Sequence, residues 1–287
     1  MNLGIRQRIA IRFHQLKFRS RTSSPFLSGD AFKELSDFSV SKRADLANLN
    51  TQFLEGTLIF CQSDLVEELI SVIDGRSSGA YLIAGNSDRD FNQEPLGLTK
   101  LFQKSFLQNS NISNNSNIFT LPIGIENLRL GINGLPENLR STIPWGERKD
   151  GVLVGPFSPT HEARSNFFSS FQFQDSLFTN LTSFISPKEY SEIAKRHKYV
   201  LCPRGNGLDT HRFWEALYRG AIPIVERSNW SQSLKMHDIP FVEVESFDSI
   251  QILERLREID KLEKFANYDS KQVKSLWIDY WVSLFRK

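Results

Sequence analysis

The sequence predicts an α/β protein with two parallel sheets flanked by helices. Three observations lead there. Apolar runs of strand length alternate with helix-length amphipathic stretches along most of the chain. The stretch 198–230 reads as strand, glycine-containing loop, helix and second strand, the unit from which parallel sheets are built. The 287 residues suffice for two cores of ordinary size, and a stretch rich in Pro, Gly and charge at 134–150 offers a hinge between them.

The elements follow in order. TLIFC at 57–61 reads as a strand, and 64–73 as a helix. A second strand at 80–84 ends in Gly85-Asn86-Ser87-Asp88. The spacing at 96–107 predicts a helix, the polar QNSNISNNSN at 108–117 a loop, and 118–123 a third strand. Pro136, Pro144 and Gly146 mark the hinge and divide the chain into domains at 1–145 and 146–287. The second half opens with a strand at 152–154. Ser158 and Pro159 then stand as N-cap and first residue of a helix. The apolar strand 199–202 ends at Pro203, and Asp209 or Thr210 caps a helix that Gly220 stops. Strands at 221–225 and 241–244 and a helix at 249–264 come next. In the tail 272–285, Trp277, Tyr280, Trp281 and Leu284 fall at i, i+3, i+4 and i+7, as in a final helix packing back on the N-terminal domain.

Chemistry concentrates after the strand 199–202. Gly205 and Gly207 flank Asn206, and lacking a Cβ they let backbone N–H groups approach a ligand closely. A helix N-terminus follows, which favours anions. Arg204 and Arg212 stand in and just after the loop, so a diphosphate is its natural guest. Glu215 suits ribose or sugar hydroxyls; the alternative is a surface ion pair between Arg212 and Glu215. The loop is neither a dinucleotide fingerprint, since a third glycine is missing, nor a Walker A motif. Arg164, in the loop after the strand 152–154, is a second diphosphate contact or a plain surface arginine.

The segment CPRGNGLDTHRFWEALYRGAIPIV at 202–225 resembles the nucleotide-sugar-binding segment of exostosin-type glycosyltransferases and their bacterial polysaccharide-synthesis relatives. PFLSGDAF at 25–32, LIAGNSDRDF at 82–91 and LPIGIENLRLGING at 121–134 are also similar to such proteins. The resemblance implies a GT-B architecture of two Rossmann-like domains, with the donor in the C-terminal one and the acceptor in the N-terminal one. It implies inverting transfer of a hexosyl or pentosyl group from a nucleotide diphosphate sugar to a glycan or lipid-linked acceptor. No metal and no further cofactor enter that reaction. The donor-binding set it implies is Arg164, Arg204, Gly205, Asn206, Gly207, Asp209, Thr210, His211, Arg212 and Glu215.

Displacement at an anomeric carbon needs a base for the acceptor hydroxyl. Three N-terminal acids lie in glycine-flanked loops: Asp88, Glu126 and Asp30. Asp88 and Glu126 follow strands, while Asp30 could instead cap a helix starting at Ala31. Asp88-Arg89-Asp90 also raises a competing reading, the Asp-x-Asp with which metal-dependent GT-A transferases hold a cation against the diphosphate. A non-catalytic nucleotide-sugar-binding protein is a further alternative.

Composition narrows the partners. A net charge of +2 and the absence of a basic stripe with interleaved aromatics give no case for nucleic acid. Cys61 and Cys202 each follow an apolar run and read as buried thiols in a reducing cytoplasm. No apolar run approaches the ~18 residues of a membrane span, and no signal peptide is apparent. At the N-terminus, Ile5, Ile9, Phe13 and Leu16 form a helical stripe among Arg6, Arg8, Arg12, Lys17, Arg19 and Arg21. Such a segment suits an anionic membrane surface, a helix packed on the domain, or a solvated tail.

Overall fold

The computed structural model describes residues 23–49, 55–73, 79–130, 133–141, 143–165, 171, 176–261, 263 and 265–286. The basic stripe at the N-terminus lies outside the described residues. The described residues form two five-stranded sheets, each wholly parallel and flanked by helices. The first holds β1 (Phe38–Val40), β2 (Leu58–Gln62), β3 (Ala80–Gly85), β4 (Phe102–Gln108) and β5 (Ile118–Leu121), side by side in chain order. The second holds β6 (Lys149–Val154), β7 (Phe178–Asn180), β8 (His197–Leu201), β9 (Ile222–Glu226) and β10 (Val242–Val244), in the order β10-β9-β8-β6-β7. Among the described residues, no helix is long and apolar enough to cross a membrane.

The monotonic order of the first sheet has a consequence for its faces. Parallel connections are almost always right-handed, so successive crossovers run over the same face. That face carries Ile59, Cys61, Leu82, Ala84 and Leu107, which pack on Val66, Leu69 and Ile73 of a crossover helix (Val66–Ile73). The opposite face, with Phe60, Ile83 and Phe106, needs another cover. It receives α1 (Gly29–Glu34) and the last helix of the chain, Ile278–Phe285. The Phe285 ring sits edge-on to Phe106 and Phe32, with centroids 4.8 and 5.9 Å apart. Both cysteines are buried and unbonded to each other.

The strands expected from sequence are present, with ends shifted by up to three residues. One expectation is overturned: 96–107 is helical only over Leu98–Leu101 and then becomes β4. Leu98, Leu101, Phe102 and Phe106 mimic helical spacing, but β4 is covered on both faces, and pairing with β3 and β5 decides its state. Pro159 does not start a helix either; helical residues begin at 162, where His161 Nδ1 accepts the Ala163 N–H at 3.1 Å. The tail is two 3₁₀ turns before the final helix. Among the described residues, the helices Arg43–Leu46, Pro136–Leu139, Pro187–Ala194 and Asn229–Lys235 were not expected.

Candidate functional site

The order of the second sheet reverses between β6 and β8, and ligands in such sheets settle at the carboxyl ends beside the reversal. The loops there are the ones after Val154 and after Leu201. The first of these, the segment 184–190 and the helix that begins at His211 line a recess of ≈ 240 Å³ that includes Ser158, Arg164, Phe184, Tyr190, Arg212 and Glu215. Glu126 and Asn133 close it from the N-terminal half.

Two guanidinium groups dominate this recess. Arg212, in the first turn of α2 (His211–Tyr218), donates to the Gly155 carbonyl at 2.9 Å and the Pro156 carbonyl at 2.7 Å. Arg164 donates to the Pro203 carbonyl and the Thr160 hydroxyl, both at 3.1 Å. Both lie over the Phe157 ring, at 4.8 and 5.7 Å, and Arg212 also covers Tyr190. Neither forms an ion pair with an acid among the described residues. Burial, and then the charge of Arg212, push the Arg164 guanidinium down to about 10. Among the described residues, two buried donors also lack acceptors here, Arg164 Nε and the Tyr190 hydroxyl. An unsatisfied buried donor is rare enough to require an explanation. Three groups thus call for one guest, the Arg212 guanidinium, the Arg164 guanidinium with its orphan Nε–H, and the Tyr190 hydroxyl, all suited to an anionic oxygen.

Glu215 does not pair with Arg212. Its Oε2 accepts from the buried Arg219 at 3.0 Å, and the carboxylate still lines the recess. The remaining loop residues face the other sheet. Arg204 is held by Asp90 at 2.6 Å, and the second Asp90 oxygen accepts the Leu208 N–H at 2.9 Å. Asn206 donates to Asp88 at 2.9 Å. A Cβ on Gly207 would lie 2.6 Å from the Asn109 side chain, while one on Gly205 would lie 3.1 Å from Arg164. Asp209 is buried; it accepts from the Ile123 N–H and the Trp214 indole, both at 2.8 Å, so it does not cap α2. Thr210 holds the cap position by its backbone, with no hydroxyl bond. The segment 204–211 is therefore largely a clasp between the halves, with its far end opening on the recess.

The three expected bases separate. Asp30 is bonded to Arg129 at 2.6 Å and to Asn86 at 3.0 Å, and Ser28 does the capping of α1. Glu126 lines the recess of Arg164 and Arg212 and accepts the Asn133 N–H at 3.2 Å. Asp88 is exposed and lines a second recess of ≈ 200 Å³, with Asn86, Asn127 and Arg129. His211 lines both recesses. Asp88-Arg89-Asp90 offers no open chelate. Asp90 is spent on the clasp and Arg89 turns away to Glu67. Sequence reasoning missed Tyr190 and Asn109. The capping pattern Ser186-Pro187-Lys188-Glu189 announces the helix that carries Tyr190, whereas nothing local marks Asn109 within its polar loop. Neither protein-family models nor curated proteins give a match to this chain.

Proposed function

We propose that the protein is a glycosyltransferase of GT-B type, moving a sugar from a nucleoside diphosphate to a glycan or lipid-linked acceptor. Residues 1–145 would form the acceptor side and 146–287 the donor side. The observation that carries this reading is the pair Arg164 and Arg212 at a sheet reversal, uncompensated by any described acid, with Arg164 Nε and the neighbouring Tyr190 hydroxyl unpaired among the described residues. A leaving diphosphate gains negative charge as the sugar departs, and fixed guanidiniums at that position stabilise it. Glu215 is placed to accept from ribose or sugar hydroxyls. The resemblance of 202–225 to exostosin-type enzymes supplies the sugar. A metal-dependent route through Asp88 and Asp90 has less support, because their oxygens already hold Asn206, Arg204 and Leu208.

Calorimetry with UDP, GDP, ADP and dTDP tests the site. At least one should bind, and Arg164→Ala or Arg212→Ala should each weaken it by about 1.5–3 kcal/mol, with little effect on the free nucleoside. Nucleotide release from the corresponding nucleotide sugars, with and without acceptor and with and without EDTA, tests the reaction. Release that requires acceptor and ignores EDTA agrees with the proposal. Loss in EDTA would favour the Asp88–Asp90 route, and binding without turnover a non-catalytic binding protein.

A further inference from the structure

We infer that His211 is the general base of this transfer, an assignment that rests on the glycosyl-transfer reading above. Among the described residues it is the one that lines both the arginine recess and the smaller recess of Asp88, Asn86 and Asn127. A donor sugar held by its diphosphate in the first and an acceptor entering through the second meet at this ring. The three acids do not share that position. Glu126 lines only the first recess, Asp88 only the second, and Asp30 neither.

The protonation geometry agrees. His211 Nδ1 lies 2.8 Å from the Gly124 carbonyl oxygen. A carbonyl can only accept, so Nδ1 carries the hydrogen, and of the two neutral tautomers this selects the one with its lone pair at Nε2. The ring's hydrogen bond among the described residues is the one at Nδ1. The carbonyl is itself well fixed. Gly124 has φ +68°, and a Cβ there would lie 2.1 Å from the Leu27 oxygen. Ser28 and Gly124 form an antiparallel bridge, and the Ile125 N–H donates to Leu27 at 2.8 Å. The orienting carbonyl comes from the N-terminal half and the ring from the C-terminal half. The base is therefore aligned only where the two halves meet.

The step balances as follows. Nε2 removes the proton of the acceptor hydroxyl as its oxygen bonds to the anomeric carbon. The bond from that carbon to the diphosphate oxygen breaks, and its electron pair stays on the diphosphate, opposite Arg164 and Arg212. The imidazolium then releases its proton to water.

His211→Asn is the informative variant, because its amide keeps a donor near the Gly124 carbonyl while Nε2 is lost. The expected result is a fall in kcat for transfer of roughly 10²–10⁴-fold, with donor KM and UDP or GDP affinity within about threefold of wild type. Adding imidazole to His211→Ala should restore part of the lost rate, which a purely structural role would not allow. Diethyl pyrocarbonate should modify His211 in the free protein and be blocked by the bound nucleoside diphosphate. Near-normal kcat in His211→Asn would overturn the assignment and leave the transfer reading standing. So would a rate loss matched by an equal loss of nucleotide affinity, which marks a donor contact. Wild-type protein that binds no nucleoside diphosphate and releases no nucleotide from any nucleotide sugar would overturn both.

Discussion

Arg164 is held at a cost to the free protein. Its charge is partly desolvated and lies beside that of Arg212, and the oxygens around it are neutral. Sites built for a ligand commonly carry such strain, which the ligand relieves. Arg164→Gln keeps a donor for the Pro203 carbonyl and removes the charge. It should leave the free protein as stable as wild type or about 1 kcal/mol more stable, while nucleoside diphosphate affinity falls at least tenfold. Urea unfolding and calorimetry on the same preparation check both signs. A drop in stability together with affinity would mean that Arg164 serves the fold. Gly207 presents the converse case. Its missing Cβ leaves room for Asn109, a buried side chain that accepts the Asp209 N–H at 2.9 Å and donates to the Ser87 carbonyl at 3.1 Å. Asn109 has nowhere to retreat without breaking those bonds. Gly207→Ala should therefore cost about 1–3 kcal/mol of stability, the usual penalty for overpacking. Nucleotide affinity, measured well below the unfolding transition, should be unchanged. Weakened binding in a fully stable variant would instead place the loop against the ligand.

The last helix, Ile278–Phe285, acts as part of the first sheet's covering although it is last in the chain. It buries Ile278, Trp281 and Phe285, each worth about 1.5–3 kcal/mol on burial. Removing residues 278–286 would expose Phe106 and Phe32 as well, and the total rivals the whole stability of an ordinary domain. Truncation before Ile278 should yield protein that is unfolded or aggregated by circular dichroism and sedimentation. A folded truncate with a cooperative melt would show that the first sheet needs no such cover. Elements of this kind are legible from sequence to different degrees. β2, β3, β8 and β9 are short apolar runs bounded by Gly, Pro or charge, and local pattern finds them. β4 is not legible, because Leu98 to Phe106 satisfies a helical period and only its two neighbours make it a strand. The edge strands β1 and β7, of three residues each, escape the sequence reading, although it finds the equally short β10. The site divides similarly. The glycine and arginine content after β8 marks a special loop, yet which side chains face a ligand depends on contacts with residues 88–124. Arg204, Asn206 and Asp209 are engaged there, while Arg164 and Arg212 converge from helix starts about fifty residues apart.

At the scale of the molecule, the two sheets are joined through a polar seam whose centre is Asp209. Its carboxylate accepts the Ile123 N–H from the first half and the Trp214 indole N–H from the second, and its own N–H donates to Asn109. Full burial pushes this carboxyl up to about 7, against the pull of those donors. In the unfolded chain an aspartate titrates near 3.9. Below about pH 4 the group is protonated in both states and folding carries no ionisation cost. Between about 4 and 7 the folded protein keeps a proton that the unfolded chain releases, so stability from this group is lost as pH rises. The full change is on the order of a few kcal/mol. Asp209→Asn cannot titrate, and its amide N–H₂ replaces one acceptor with a donor, so it is less stable than wild type at low pH. The wild-type advantage over Asp209→Asn should be largest near pH 4.5 and shrink steadily towards pH 8. Urea unfolding of both proteins across that range measures it, and taking the difference cancels the other titrating groups. An advantage that stays flat from pH 4.5 to 8 and falls only on further acidification would mean that the Ile123 and Trp214 donors outweigh burial, keeping Asp209 ionised in the seam throughout.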